Sequence, residues 1–426
     1  MSAPLLRTLR ALVVRPEAAD RVVSGPYDAY SSSERLAIRA AEPLSYLHVT
    51  RTPEDLQPGE TIEDLATAAA TAMGRLVNTG AYRFVDEQSV FLYELTFRGH
   101  AQTGVVALVP VDAFTDGRIR KHEDVRPDRA RLLANHLRHT GGTSSPIALS
   151  FRTTDEISAG LTTLTDRPPL LDHRADGIGG RVGQRVWAVP EAEAAGLIAA
   201  LGDKRLYLTD GHHRAAAALL ARRLGADAAD DDPHGELDWA MVVIFPDDDL
   251  RVSAFNRIVV DRADRSVDEL LTALTDSGMN PIEVVSGTDA VPAEPGRIAF
   301  YLGGRWFTAT LGPAAGDRAL DRLDVQRLQT QVLAPVFGVA EPGADPNLSY
   351  VPGTVDLAEF TARCDRTPGG VGVLLYRTGI DELFAVADDG DLMPPKSSYF
   401  APKPLSGVFI RSLARGSLAR FGPSGG

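Results

Sequence analysis

The sequence is short of cysteine, of long apolar runs and of positive charge, and each shortage excludes something. Cys364 is the only cysteine in 426 residues, so neither an internal disulfide nor a cysteine-based zinc site can form, and a reducing cytoplasm is the expected compartment. Near the N-terminus the apolar stretch Ala11 to Val14 is closed by Arg15. That is too short for a signal peptide or a membrane span, so no membrane partner is expected. Lys and Arg number 44 against 57 Asp and Glu, a net charge of −13. Non-specific nucleic-acid binding needs the opposite balance, so a DNA-binding role is disfavoured. With 44% apolar and 24% charged residues the composition is that of a folded protein, and the length suits two or three domains.

Short strands and helices of similar number, without regular βαβ alternation, predict an α+β fold of mixed sheets and helices. Strand composition occurs at Ser45–Thr50, Phe91–Phe97, Gly104–Val111, Leu206–Thr209, Trp239–Phe245, Arg297–Leu302 and Trp306–Leu311. Helices are expected over Ile62–Val77, from Pro127 to the Gly141-Gly142 stop, from His212 to Leu224, over Ser266–Thr275 and around Asp324–Leu333. A boundary near residue 250 separates a 1–250 nucleotide- and substrate-binding region from a 251–426 C-terminal α/β region, a candidate lid or homodimer surface. Gly177 to Gly183 imitates a dinucleotide loop, but the strand-like Arg185–Val189 after it makes a turn between two strands the better reading. The runs Asp230–Asp232 and Asp247–Asp249 read as solvated loops.

The chemistry concentrates at Thr209-Asp210-Gly211-His212-His213-Arg214. A strand ends, a glycine turns the chain, and two imidazoles and a guanidinium occupy the first turn of an alanine-rich helix. The start of a helix presents N–H groups and a partial positive charge, which suits anions such as phosphate. His212, His213 and Arg214 add side-chain donors, Arg214 in a bidentate geometry. Asp210 is either the helix cap or a ligand for Mg²⁺ between phosphates. A second block, Lys121-His122-Glu123-Asp124-Val125-Arg126-Pro127, offers Glu123 as a base for a hydroxyl and Lys121 and Arg126 as cations for a moving phosphoryl group. The plain alternative is a solvated charge run at a helix start. His136 and His139 have helix-face spacing, and a metal triad of His122, His212 and His213 is less economical than phosphate contact.

Several blocks together resemble the domain-of-unknown-function 1015 family. They are Pro26-Tyr27-Asp28, Leu47-His48-Val49, Lys121-His122-Glu123 with Arg126-Pro127, Asp210–Arg214, Phe255-Asn256-Arg257 and Met393-Pro394-Pro395-Lys396-Ser397. The helix-start motif also resembles the nucleotide-phosphate site of the ParB/sulfiredoxin superfamily, which includes free-serine kinases. Gly25 and Val125 depart from the family's usual proline and threonine, the second removing a hydroxyl. The resemblance implies a phosphotransferase moving a phosphoryl group from ATP or ADP, with Mg²⁺, to a small hydroxyl metabolite such as free L-serine. It makes Glu123 the preferred base, with Asp210 and His213 also catalytic. It also makes Tyr27, Asp28, His48, His122, Lys396 and Ser397 candidate substrate contacts. A binding regulator without turnover and a phosphohydrolase are the rival readings.

Overall fold

The computed structural model describes residues 5–26, 30–177, 180–226 and 235–413. The fold is α+β, and the chain divides into two compact units. The first takes in residues up to Lys121, Val125–Leu250 and the chain from Pro402 on; the second is His122–Asp124 with Arg251–Ala401. Among the described residues no helix is long and apolar enough to cross a membrane.

The first unit is built on one large mixed sheet. Its order runs Ile119–Arg120, Leu206–Asp210, Ile147–Phe151, Trp239–Pro246, His100–Pro110, Tyr82–Phe97, Leu9–Val14, Phe409–Ser412, Gly142–Thr143. The long hairpin Tyr82–Phe97/His100–Pro110 turns at Arg98 and Gly99, both at positive φ, the turn geometry that matches strand twist. Gly177 pairs with Gly180 across the Leu171–Gly177/Gly180–Pro190 hairpin, so the glycine run there joins two strands. Leu92, Val105, Leu149, Leu208, Val242 and Ile244 pack in the core between the sheet and its helices. Taking 251–426 as a single region is corrected at its end. Phe409–Ser412 pairs antiparallel with Leu9–Val14, a long-range contact that no local pattern announces.

Two helices position the site in this unit, Pro127–Thr140 and His212–Ala226. Both faces of the alanine-rich helix are used. Ala215 and Ala218 pack toward the sheet, while Ala217 and Ala221 meet Ala134 of the Pro127–Thr140 helix. Methyl-sized side chains let the two helices approach closely, as larger ones could not.

The second unit carries an antiparallel sheet in the order Ile282–Val284, Arg305–Thr310, Arg297–Leu302, Gly370–Leu375, Phe255–Val260, Leu348–Pro352. Ile258, Trp306, Phe360 and Cys364 lie in its core. Burial and the neighbouring Asp365 push the Cys364 thiol up to about 12, which makes it inert. The helix expected over Asp324–Leu333 opens after Leu328 into a wider π turn, Gln329–Leu333. Ser45–Thr50, expected as a strand, is instead a short 3-10 turn at Tyr46–His48, started by the Ser45 hydroxyl accepting from the Leu47 N–H.

Two outcomes check this packing. Ala221→Leu forces a larger side chain into the contact between the helices and should destabilise the protein by about 1–3 kcal/mol in denaturant unfolding. Burial pushes the His136 imidazole down to about 4. Between pH 4 and 6.5 the unfolded chain therefore binds the extra proton, and this contribution to stability, present at pH 7, is lost as pH falls through that window. His136→Asn should lose less stability than the wild type between pH 7 and 4.5.

Candidate functional site

The strand Leu206–Asp210 is buried until its last residue. It runs parallel to Ile119–Arg120, with Arg120 beside Tyr207, and antiparallel to Ile147–Phe151, with a register shift between Ala148 and Leu149. Gly211 then turns the chain with φ +97°, and a Cβ there would lie 2.9 Å from Arg214 Nε and Nη2. Only glycine meets both demands, the left-handed backbone and the room for the guanidinium. The Gly211 carbonyl accepts from the Ala215 N–H at 2.9 Å, so the helix begins at this point. Its first turn holds no acidic side chain.

Asp210 is clasped by two cations. Its Oδ2 accepts from Arg214 Nη2 at 2.5 Å, and its Oδ1 lies 2.9 Å from Lys403 Nζ. Burial pushes the carboxyl up, but Lys403 and Arg214 outweigh it and hold Asp210 well below the usual carboxylate range. This corrects two expectations. Both oxygens of Asp210 are taken by cations, so the residue does not fit the role of a Mg²⁺ ligand. Arg214 is not an open fork for phosphate, since its Nη1 also donates to the carbonyls of Ser145 at 3.0 Å and Pro146 at 2.6 Å. It is a clamp on the strand end.

Lys403 was missed by sequence reasoning, and the sheet fixes its loop. Gln102 Nε2 donates to the Pro402 carbonyl at 3.2 Å, and the Leu405 N–H donates to the Tyr93 hydroxyl at 3.4 Å. A signal for Lys403 does exist. The chain has only four lysines, Lys121, Lys204, Lys396 and Lys403. Where arginine serves nearly every other cationic position, a retained lysine marks a place that wants a compact ammonium.

His213 joins the two helix starts, its Nε2 accepting the Arg126 N–H at 3.2 Å. An accepting Nε2 is unprotonated, which leaves the proton of the neutral ring on Nδ1. Arg126 immediately precedes Pro127, so the positive ends of both helix dipoles stand side by side. The Arg126 guanidinium reaches Asp128 at 2.9 Å, an exposed pair of small energetic weight. Lys121 is exposed one residue past Arg120, at the same carboxyl edge of the parallel strand pair as Gly211. His212 is buried.

Other predicted residues lie elsewhere. His48 Nε2 sits 3.1 and 3.2 Å from the carbonyls of Arg39 and Glu42, where it closes the Ser32–Ala41 helix rather than facing a substrate. Tyr27 and Asp28 fall outside the described residues, as does the Asp230–Asp232 run. His139 Nδ1 lies 2.8 Å from the Asn135 carbonyl on its own helix. In the second unit His122 is buried and its carbonyl accepts from the Met393 N–H at 2.7 Å, which joins two of the sequence blocks. Glu123 is half-buried and Lys396 exposed. Ser397, expected to touch substrate, is buried and donates to the Pro394 carbonyl at 2.6 Å, so its hydroxyl shapes the turn instead.

The fold and this helix-start arrangement define an α+β protein with a glycine-turned strand-to-helix junction. The chain belongs to the DUF1015 family, described as proteins of unknown function, whose model matches residues 6–326. No curated protein matches the chain. Solved structures similar to it include a free serine kinase in complex with AMP, at 12% identity and a TM-score of 0.36, over 71% of this chain and 91% of that one. A conserved hypothetical protein from Pyrococcus furiosus is 13% identical with a TM-score of 0.36, over 72% of this chain and 95% of that one. C-terminally truncated SbnI from Staphylococcus aureus is 14% identical with a TM-score of 0.35, over 71% of this chain and 85% of that one.

Gly211→Ala should destabilise the protein by about 1–3 kcal/mol through backbone strain and collision with Arg214. The exposed helical Gly196, with open space at its Cβ, is the control. Gly196→Ala should stabilise by about 0.4–1 kcal/mol in the same unfolding assay.

Proposed function

We propose that the protein is a phosphotransferase that moves a phosphoryl group from a nucleotide, ATP or ADP, to the hydroxyl of a small metabolite, free L-serine being the first candidate. The observation that carries this reading is the pairing of two helix starts by His213 and the Arg126 N–H, next to a glycine turn with no acid in the first helical turn after it. Two positive dipole ends, with the cations Lys121 and Arg126 on the same stretch of chain, suit the phosphates of a nucleotide better than any neutral ligand.

The nucleotide phosphates are assigned to Gly211, His212 and His213, with Lys121 and Arg126 offsetting their charge. Asp210, held by Arg214 and Lys403, fixes the strand end from which this turn departs. Glu123 is assigned as the base that accepts the proton of the acceptor hydroxyl. Mg²⁺ supplies charge neutralisation as the nucleotide's own counter-ion; Asp210 is not assigned to it. Transfer then rests on positioning and electrostatics, without a covalent intermediate on the protein.

The full chain, incubated with ATP or ADP, Mg²⁺ and a panel of hydroxy amino acids, should yield a phosphorylated acceptor detectable by mass spectrometry. Nucleotide binding without product would favour a regulator, and phosphate release without an acceptor a phosphohydrolase. Failure to bind any nucleotide would overturn the reading. Glu123→Gln should lower kcat by about 10²- to 10⁴-fold while leaving the nucleotide Kd unchanged, as removal of a base and not of a binding group requires.

A further inference from the structure

The second unit holds a cation that its own fold does not neutralise. Arg257, on the strand Phe255–Val260, is 3% exposed. Its Nη1 donates to the Phe255 carbonyl, its Nη2 donates to the Lys396 carbonyl at 3.2 Å, and its guanidinium lies 5.4 Å from the Tyr350 ring centroid. Among the described residues no carboxylate forms an ion pair with it, and its one electrostatic partner of note is Tyr350. Burial pushes the guanidinium down to about 10, the direction expected for a desolvated cation without a counter-charge. A buried charge held only by carbonyls and a ring is poorly compensated compared with one that meets an anion.

Beside it stands a second cation, set in place at some conformational expense. Lys396 has φ +57°, a left-handed backbone that a lysine adopts reluctantly and that clusters at functional sites. The turn carrying it is fastened at both sides. Ser397 donates to the Pro394 carbonyl at 2.6 Å and Thr378 donates to the Ser397 carbonyl at 2.9 Å. Arg257 supplies a third tie through the Lys396 carbonyl. Lys396 Nζ lies 5.3 Å from the Phe255 ring centroid, and Phe255 in turn packs edge-on against Tyr350 and Tyr399. A tied turn thus carries an exposed ammonium against an aromatic wall, while its own backbone carbonyl accepts from a buried guanidinium.

From this we infer that Arg257 and Lys396 form a binding site in the second unit for the oxyanion of a small molecule, a phosphate or a carboxylate group. An oxyanion supplies the counter-charge that neither cation has among the described residues, and the strained backbone at Lys396 is the device that presents its ammonium. The site concerns the second unit alone and stands whether or not the first unit transfers phosphate.

With four lysines in the chain, residue-resolved acylation is a direct readout. The full-length protein is treated with limiting acetic anhydride in potassium chloride, potassium acetate or inorganic phosphate at matched ionic strength, and acylation is read by mass spectrometry with Lys204 as internal standard. Acylation of Lys396 should slow by about tenfold at saturating oxyanion. Protection by phosphate alone identifies a phosphate site, and protection by acetate as well identifies a carboxylate site. An unchanged rate in both overturns the inference. Arg257→Gln should abolish the protection. If that variant does not fold, Lys396→Gly tests the same idea, because relieving the left-handed backbone should leave Tm equal or higher. A marked fall in Tm would make Lys396 a structural residue and sink the proposal. Lys121 and Lys403 report on the first unit in the same spectra, so failure there is distinguished from failure at Lys396.

Discussion

The candidate site depends on the clasp between Asp210, Arg214 and Lys403. A strand that ends in a half-buried carboxylate needs positive partners, and here two arrive from later in the chain, one four residues on and one far downstream. Arg214 comes from the first turn of the following helix, and Lys403 from a loop anchored on the sheet by Gln102 and Tyr93. Removing either cation leaves a partly buried charge incompletely paired, which is why such clusters hold a single geometry. The clasp fixes where the strand stops, Gly211 fixes how the chain turns, and the helix starts that follow acquire their place from both.

Arg214 shows how a local motif can carry chemistry and structure at once. Its fork could meet a phosphate, yet in the folded chain it spans Asp210 and the Ser145 and Pro146 carbonyls. Beyond that clamp, the features that suit an anion are the backbone after Gly211 and the start of the neighbouring helix. The site is thus built more from helix ends than from a basic side-chain pocket, which is compatible with a chain of net charge −13.

How much of this was legible in the sequence varies with distance along the chain. The junction at Asp210–Arg214 was visible because a strand end, a glycine and a basic helix start are all local features. The alanines of that helix announced close packing, though not that a second helix, through Ala134, would share it. Lys403 and the strand Phe409–Ser412 were out of reach, since their places come from tertiary pairing with residues far upstream. His48 was misread as a substrate contact. The composition of Ser45–Thr50 suggested a strand, whereas the Ser45 hydroxyl starts a turn that brings the ring under the end of a helix. Arg257 stood in a recognisable block, but its burial without a carboxylate is a property of the folded sheet.

The central claim, that the paired helix starts hold polyphosphate, is tested most directly by a crystal structure of the full chain soaked with ADP. The terminal phosphate should lie within hydrogen-bond distance of the backbone N–H groups after Gly211 and of His213. Nucleotide bound away from the Gly211 turn, with those groups untouched, would contradict it.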